Sequence, residues 1–246
     1  MKFQNIGIVS PGDMGQGVAQ SIKSSGYAVH TALDGRSART KALAQAAGIN
    51  DCGTMQKVIE TCDVVLSILN PAAAVDNARA AAAAMQATGR RCLFVDCNAV
   101  APQTAHEIDA IIRAAGGDCV DAGIIGPPPR GKASMRMYVS GPQAALLEQL
   151  ENPGIKVRVM SERIGDASAI KMCYASYTKG ALALGVEMLM TARRLGVDAA
   201  LDRELQESAA ENRQWILNRT AVMPPPRPIA GCRKCLKSPK LSKASA

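Results

Sequence analysis

The sequence predicts an α/β chain, with a doubly wound, mostly parallel sheet followed by an all-helical C-terminal part. Three observations predict it. Short β-branched runs alternate with alanine-rich helical stretches as far as about residue 160, the pattern of parallel strands joined by right-handed crossovers. The run Asp63–Leu69 (DVVLSIL) is almost continuously apolar, as expected of a strand covered on both faces. Residues 165–196 then hold no proline, and Ile170, Cys173, Tyr174, Tyr177, Ala181, Leu184, Met188 and Thr191 recur at three- and four-residue steps, which marks an amphipathic helix.

Taken in order, strands are expected at 5–10, 28–33, 63–69, 92–96, 118–122, 135–140 and 155–160. Helices are expected at 14–25, 37–47, 54–61, 71–87, 102–115 and 142–151, then through 165–196 and about 198–218. Ser37 suits the N-cap of the second helix. Residues 77–88 (NARAAAAAMQAT) look low in complexity, but alanine is the best helix former and they read as helix. The change of pattern places a boundary near 160–165. Residues 1–162 are expected to form the alternating α/β domain and 163–225 a helical domain. Residues 226–246 form a basic tail without periodicity, which lacks the means to bury a core.

A chain of 246 residues can build a real core. Its 48% hydrophobic and 3% aromatic content suits helices on a sheet better than a β-sandwich. Of the net charge of +8, residues 227–246 carry six cations and no acid, which leaves +2 for the rest. The basicity belongs to the tail, where a charge run is usually solvated, and nucleic acid is not expected as a partner. Most of the eight cysteines lie in apolar or helical surroundings and read as small hydrophobes in a reducing compartment. Cys232 and Cys235 make a C-x-x-C, but no second pair or histidine cluster accompanies it, and His30 and His106 are the only histidines. No metal site is expected. Lys2 is followed by no sustained apolar region, and no stretch suits a bilayer span. A cytoplasmic protein without membrane contact is expected.

The opening IGIVSPGDMGQGVAQSIKSSG (6–26) reads as strand, tight turn and helix, the Rossmann-type arrangement that holds a dinucleotide. Gly12 would let the backbone approach the pyrophosphate, Gly15 would let the helix pack close on the strand, and the helix N-terminus would offer free N–H groups. In G-x-G-x-x-G register the first glycine is Ser10, followed by Pro11, and an ordinary strand-to-helix turn would look similar. About twenty residues on come Leu33-Asp34-Gly35-Arg36-Ser37-Ala38-Arg39, where the adenosine ribose is read. Arg36, Ser37 and Arg39 together would suit a 2′-phosphate, so NADP is favoured, with NAD possible. The other reading is a capping serine beside solvated arginines.

The order GIVSPGDMG, DVVLSILNP, FVDCNAVAP, VDAGIIGPPP and GDASAIKMCYASYTKG resembles the β-hydroxyacid dehydrogenase superfamily, which includes 3-hydroxyisobutyrate and 6-phosphogluconate dehydrogenases. Within it, the sequence is most similar to a bacterial branch of 6-phosphogluconate dehydrogenase-like NAD(P)-dependent oxidoreductases. The resemblance spans about residues 5–225. It implies that Ser10, Pro11, Gly12, Asp13, Met14 and Gly15 wrap the pyrophosphate, and that Arg36 and Ser37 face the 2′-phosphate. It implies that Leu69, Asn70 and Pro71 border the nicotinamide ribose, with Asn98 close to nicotinamide and substrate. Asp121–Pro127 matches the substrate segment D-x-x-x-S-G-G, so Ile125, Gly126 and Pro127 are substrate-binding candidates. Lys171 matches the catalytic lysine. A lysine whose pKa falls in a closed site can take or return the hydroxyl proton, and its protonated form polarises a carbonyl.

The departures from that pattern carry information. The segment's serine is Ile125, its second glycine is Pro127, and the asparagine four residues past the lysine is Ala175. Tyr174, Thr178 or Lys179 could substitute, because they share the helix face of Lys171. These losses argue against 6-phosphogluconate and 3-hydroxyisobutyrate as substrates. Pro127-Pro128-Pro129 suggests a stiff, apolar pocket wall. Arg130 and Lys132 either meet an anionic substrate or are solvated, the second being favoured. Residues from 226 or 227 onward are read as a frameshift product. PRPIAGCRKCLKS has an encoding that, read one nucleotide earlier, yields KAYRWVPEMPEI, which resembles what the branch carries there. The expectation is an NADP-preferring oxidoreductase acting on a small hydroxy acid or related carbonyl compound, a homodimer if the helical part suffices. The alternative is a nucleotide-binding protein without turnover.

Overall fold

The computed structural model describes residues 2–208. The expected continuation of the last helix to 218, the tail from 226 and Cys232 with Cys235 lie outside the described residues. In chain order the elements are β1 (Asn5–Val9), α1 (Asp13–Ser24), β2 (Ala28–Thr31), α2 (Ala38–Ala46), β3 (Asn50–Asp51), α3 (Met55–Thr61) and β4 (Val64–Ser67). There follow α4 (Ala74–Thr88), β5 (Leu93–Asp96), α5 (Pro102–Ala114), β6 (Asp118–Ile125), β7 (Met135–Ser140), β8 (Ile155–Ser161) and α6 (Asp166–Leu195). By contact, the chain divides into two compact units, Met1–Gly180 and Ala181–Ala246, with the division inside α6. The described part of the second unit is the end of α6 and a helical stretch at 198–208.

The eight strands form one sheet in the order β3-β2-β1-β4-β5-β6-β7-β8. Every pair is parallel except β6 with β7. The chain goes from β1 outward to β2 and β3, then returns to place β4 on the other side of β1. That reversal opens a crevice beyond the carboxyl ends of β1 and β4, where such sheets bind ligands.

Strand alternation sorts the core into two layers. Ile6, Ile8, Val64, Leu66 and Val95 pack with Val18, Ala19 and Ile22 of α1 on one face. Val65, Phe94 and Cys119 pack on the other face with Val58, Ala78, Ala81, Met85, Ile108 and Ile112 of α3, α4 and α5. Full burial of a Val, Leu, Ile, Phe or Met side chain contributes roughly 1.5–3 kcal/mol, so both faces of the central strands are fixed by their apolar sequence.

The structure corrects four local expectations. β3 was not expected, because two residues, Asn50 and Asp51, give no periodic signal. Residues 142–151 form a 3-10 helix at Ala144–Leu150 rather than an α-helix. The helix expected at 71–87 starts as a separate 3-10 turn, Pro71–Ala73, capped by Asn70 Oδ1 accepting from Ala72 N–H at 3.1 Å. β6 runs three residues longer than expected and takes Ile125 into the sheet.

Four cysteines, Cys62, Cys92, Cys97 and Cys119, are buried, whereas Cys173 is exposed on α6. Burial pushes the Cys92 thiol up to about 12, which leaves it inert. Among the described residues no helix is long and apolar enough to cross a membrane.

Candidate functional site

The turn after β1 is built by backbone conformation. Ser10 has φ 69°, the one positive φ outside glycine among the described residues, and it occupies the place of the first glycine of the motif. Gly12 N–H donates to Ser10 O at 2.8 Å and closes the turn. A Cβ on Gly15 would lie 2.5 Å from Ser10 O, so only glycine lets α1 start this close to the strand. A Cβ on Gly12 would meet nothing within 4 Å. Gly12 is the N-cap of α1 and supplies no side-chain cap. An open face and an uncapped helix N-terminus fit a dinucleotide's pyrophosphate.

The connection between β6 and β7 meets this turn and its helix. Pro128 and Pro129 lie against α1, where a Cβ on Gly17 would be 3.0 Å from Pro128 Cβ and 3.2 Å from Pro129 Cδ. The guanidinium of Arg130 reaches the first turn of α1. Its Nη1 bonds Asp13 Oδ1 at 2.8 Å, and its Nη2 donates to Asp13 O at 3.1 Å and Gln16 Oε1 at 2.9 Å. Arg130 is exposed, as the favoured reading had it, and it also makes these surface contacts. Pro128 and Pro129 brace the glycine-turn helix.

At the end of β2, Asp51 of β3 fixes the loop that carries Arg36. Its Oδ1 accepts from Leu33 N–H at 3.1 Å and from Gly53 N–H at 2.8 Å. Ser37 Oγ accepts from Thr40 N–H at 3.3 Å and caps α2, as expected. Arg36 and Arg39 are exposed, and neither makes a salt bridge among the described residues.

A row of polar side chains crosses the carboxyl ends of the sheet in register: Ser67 opposite Asp96, Asp96 opposite Asp121, and Asp121 opposite Ser140. All four are buried, Asp96 and Asp121 at 1% exposure. Asp121 anchors α6. Its Oδ2 accepts from Gly165 N–H (3.0 Å), Ser168 N–H (2.9 Å) and Ser140 Oγ–H (3.2 Å), and its Oδ1 from Ser168 Oγ–H (2.6 Å). Asn98 ties the row to the loop after β4. Its Oδ1 accepts from Leu69 N–H at 2.7 Å, and its Nδ2 donates to Ser67 Oγ (3.0 Å) and Asp96 Oδ1 (2.5 Å). Asp96 Oδ2 has no hydrogen-bond partner among the described residues. Burial first, and the charge of Asp121 beside it, push the Asp96 carboxyl up to about 7.

Lys171 stands three residues past Ser168, this anchor's last contact, in the second turn of α6, and its Nζ donates to Ile124 O. Gly123 makes that reach possible, since a Cβ there would lie 2.6 Å from Ala167 O and 3.0 Å from Lys171 Cβ. Burial first, then the charge of Lys179, hold the Lys171 ammonium below its ordinary pKa. Lys171 faces a cleft of about 480 Å³ whose lining includes Pro71, Ile125, Gly126, Tyr174, Thr178 and Lys179. Such a volume holds a small molecule.

The structure thus gathers Pro71, Ile125, Gly126, Lys171 and Tyr174 around one cleft, and Ser10–Gly15 into one turn. Pro127, Leu69, Asn70 and Asn98 do not line the cleft. Asn98 is instead 3% exposed and spends its amide on the Leu69 loop. Asp96, Gly17 and Gly123 went unassigned from sequence. The available signal was a polar residue within or at the end of an otherwise apolar run, at Ser67, Asp96 and Asp121.

Residues 5–156 match the NAD binding domain of 6-phosphogluconate dehydrogenase. The chain belongs to this family. It is an NAD(P)-dependent dehydrogenase of the β-hydroxyacid dehydrogenase superfamily, acting on hydroxyl groups. An L-threonate dehydrogenase of Cupriavidus necator is 31% identical over 224 residues, 88% of this chain and 74% of its own. A solved conserved protein of unknown function, described as structurally similar to 3-hydroxyacid dehydrogenases, is 33% identical. It covers 87% of this chain and 80% of its own, with a TM-score of 0.69. The 3-hydroxyisobutyrate dehydrogenase of Mycobacterium tuberculosis, solved with L-serine, shares the fold. Its TM-score is 0.71 at 20% identity, over 97% of this chain and 81% of its own.

Proposed function

We propose that this dehydrogenase prefers NADP and acts on a small hydroxy acid or a related carbonyl compound, with Lys171 as proton donor and acceptor. The observation that carries the reading is a half-buried lysine of lowered pKa facing a cleft of about 480 Å³. The nicotinamide, when bound, supplies or accepts the hydride. Lys171 manages the proton. Its neutral amine takes the proton from a substrate hydroxyl during oxidation, and its ammonium polarises the carbonyl during reduction. Burial makes the neutral form accessible closer to neutrality than for a solvated lysine. Lys179 adds a second cation to the lining, which suits a carboxylate on the substrate. Ile125 at the serine position and Ala175 at the asparagine position leave the wall less polar, which suits a compact substrate.

The NADP preference is supported by Arg36 and Arg39, exposed and without acidic partners among the described residues, beside the loop held by Asp51. Leu182, Leu184, Leu189 and Met190 are exposed on α6, which supports a homodimer formed through the helical part. The departures at Ile125, Pro127 and Ala175 support the second reading, a nucleotide-binding protein without turnover.

Two measurements test these readings. In a screen of hydroxy acids and keto acids, Lys171→Ala should abolish turnover and leave the NADPH dissociation constant within about threefold, since the lysine lies off the glycine turn. Full activity in that variant defeats the mechanism, and no turnover by the wild-type chain favours the second reading. Arg36→Ala should weaken NADPH by about tenfold, the worth of one charge-assisted contact, and leave NADH unchanged.

A further inference from the structure

We propose that Arg130 is a positioning residue of the dinucleotide site: it neutralises Asp13, so that a glycine turn bearing an acid accepts the pyrophosphate. The proposal rests on the dinucleotide occupying the turn at Gly12–Gly15.

Asp13 is the first residue of α1 and sits at the positive end of the helix dipole. An acid there stabilises the helix, but it places a fixed negative charge where an anionic ligand must arrive. The turn offers no lysine or arginine of its own between Ser10 and Gln20. The compensating cation comes from a residue 117 positions later in the chain. Arg130 lies in the connection between the antiparallel strands β6 and β7, and two independent features deliver it. Pro128 and Pro129 seat that connection on α1 at Gly17, where a Cβ would intrude at 3.0 Å and 3.2 Å. The guanidinium then binds three oxygens of the first turn, Asp13 Oδ1, Asp13 O and Gln16 Oε1.

Five N–H donors make up a guanidinium, and these contacts engage three. The remaining donors have no protein partner among the described residues, and the Arg130 side chain is 44% exposed. No other acid pairs with Arg130 among the described residues. The same connection begins at Gly126, which lines the cleft that Lys171 faces. One segment therefore touches both the turn that takes the phosphates and the wall of the cleft.

A charge-neutralising residue and a mere latch between two segments predict opposite results at Asp13. The experiment is titration calorimetry of the full chain with NADPH and, separately, NADH. Arg130→Ala should weaken both by about tenfold, the loss expected when a charged hydrogen-bonding partner is removed. The factor should be the same for both because the pyrophosphate is common to them. Asp13→Asn should tighten both, since it leaves Arg130 unopposed, and the double variant should regain most of what Arg130→Ala lost. Arg130→Lys, which keeps the charge, should stay close to wild type.

Unchanged binding in Arg130→Ala, or weaker binding in Asp13→Asn, overturns the proposal while leaving the dehydrogenase reading intact. Should Arg130→Ala fail to fold, the sign of the Asp13→Asn effect still decides. A wild-type chain that binds neither dinucleotide overturns this proposal together with the NADP reading.

Discussion

Gly123 and Lys171 meet where β6 packs against the start of α6, and the absence of a side chain on Gly123 permits the contact. A Cβ at Gly123 would stand 3.0 Å from Lys171 Cβ and 2.6 Å from Ala167 O. The strand cannot retreat, because it is hydrogen-bonded to β5 on one side and β7 on the other. The helix cannot easily tilt either, because Gly165 N–H, Ser168 N–H and Ser168 Oγ–H tie its start to Asp121.

Gly123→Ala therefore overpacks a site with nowhere to yield, and such insertions cost roughly 1–3 kcal/mol. The variant should melt several degrees lower. Displacing Lys171 from Ile124 should cut turnover far more than NADPH affinity, because the glycine turn lies on another strand. Parallel melting, calorimetry and rate measurements check this. Turnover and dinucleotide affinity falling together would mean that the variant perturbs the whole sheet.

Asp96 makes stability depend on pH with a sign opposite to that of a salt-bridged acid. Its carboxyl is pushed up to about 7 in the fold, whereas in the unfolded chain it titrates in the usual carboxylate range, near 4. Between those values the folded state holds a proton that the unfolded state has released, so stability falls as pH rises through that window. The slope from this group approaches roughly 1.4 kcal/mol per pH unit and ends once the folded carboxyl has ionised, above about pH 7. Asp96→Asn keeps an oxygen for Asn98 Nδ2 and puts an amide beside Asp121. The variant should match wild type near pH 4 and melt higher at pH 8. Parallel melting curves across the range would refute the assignment.

The parallel core was legible because its strands are short β-branched runs and its helices are alanine-rich. Both signals are local. What escaped was carried by tertiary neighbours. β3 exists because Asp51 bonds the chain after β2, not because Asn50 and Asp51 favour a strand. The residues after Gly141 wind as a 3-10 helix although their composition suits an α-helix. In the site, Lys171 and the glycine turn followed from resemblance and spacing. Asp96 and Arg130 did not, since their roles come from register opposite Asp121 and from a contact spanning 117 residues. Asn98 was singled out from sequence, but the structure turns its amide toward Leu69 instead of the cleft.

Ser10 is the last point where a local rule is broken. It holds φ 69°, a left-handed conformation that costs a residue with a Cβ roughly 1–2 kcal/mol. Its side chain makes no hydrogen bond among the described residues, and the turn depends on its carbonyl, which accepts from Gly12 N–H. A glycine would relieve the strain and keep that bond, at an added cost of about 0.5–1 kcal/mol in unfolded-chain entropy. Ser10→Gly should therefore be neutral or more stable by up to about 1 kcal/mol, with NADPH affinity retained. Ser10→Val, β-branched at the same φ, should lose stability and affinity together. Thermal melts and titrations of the two variants check this pair. A destabilised Ser10→Gly would show that the serine hydroxyl has a role in the turn, and the strain argument would fail.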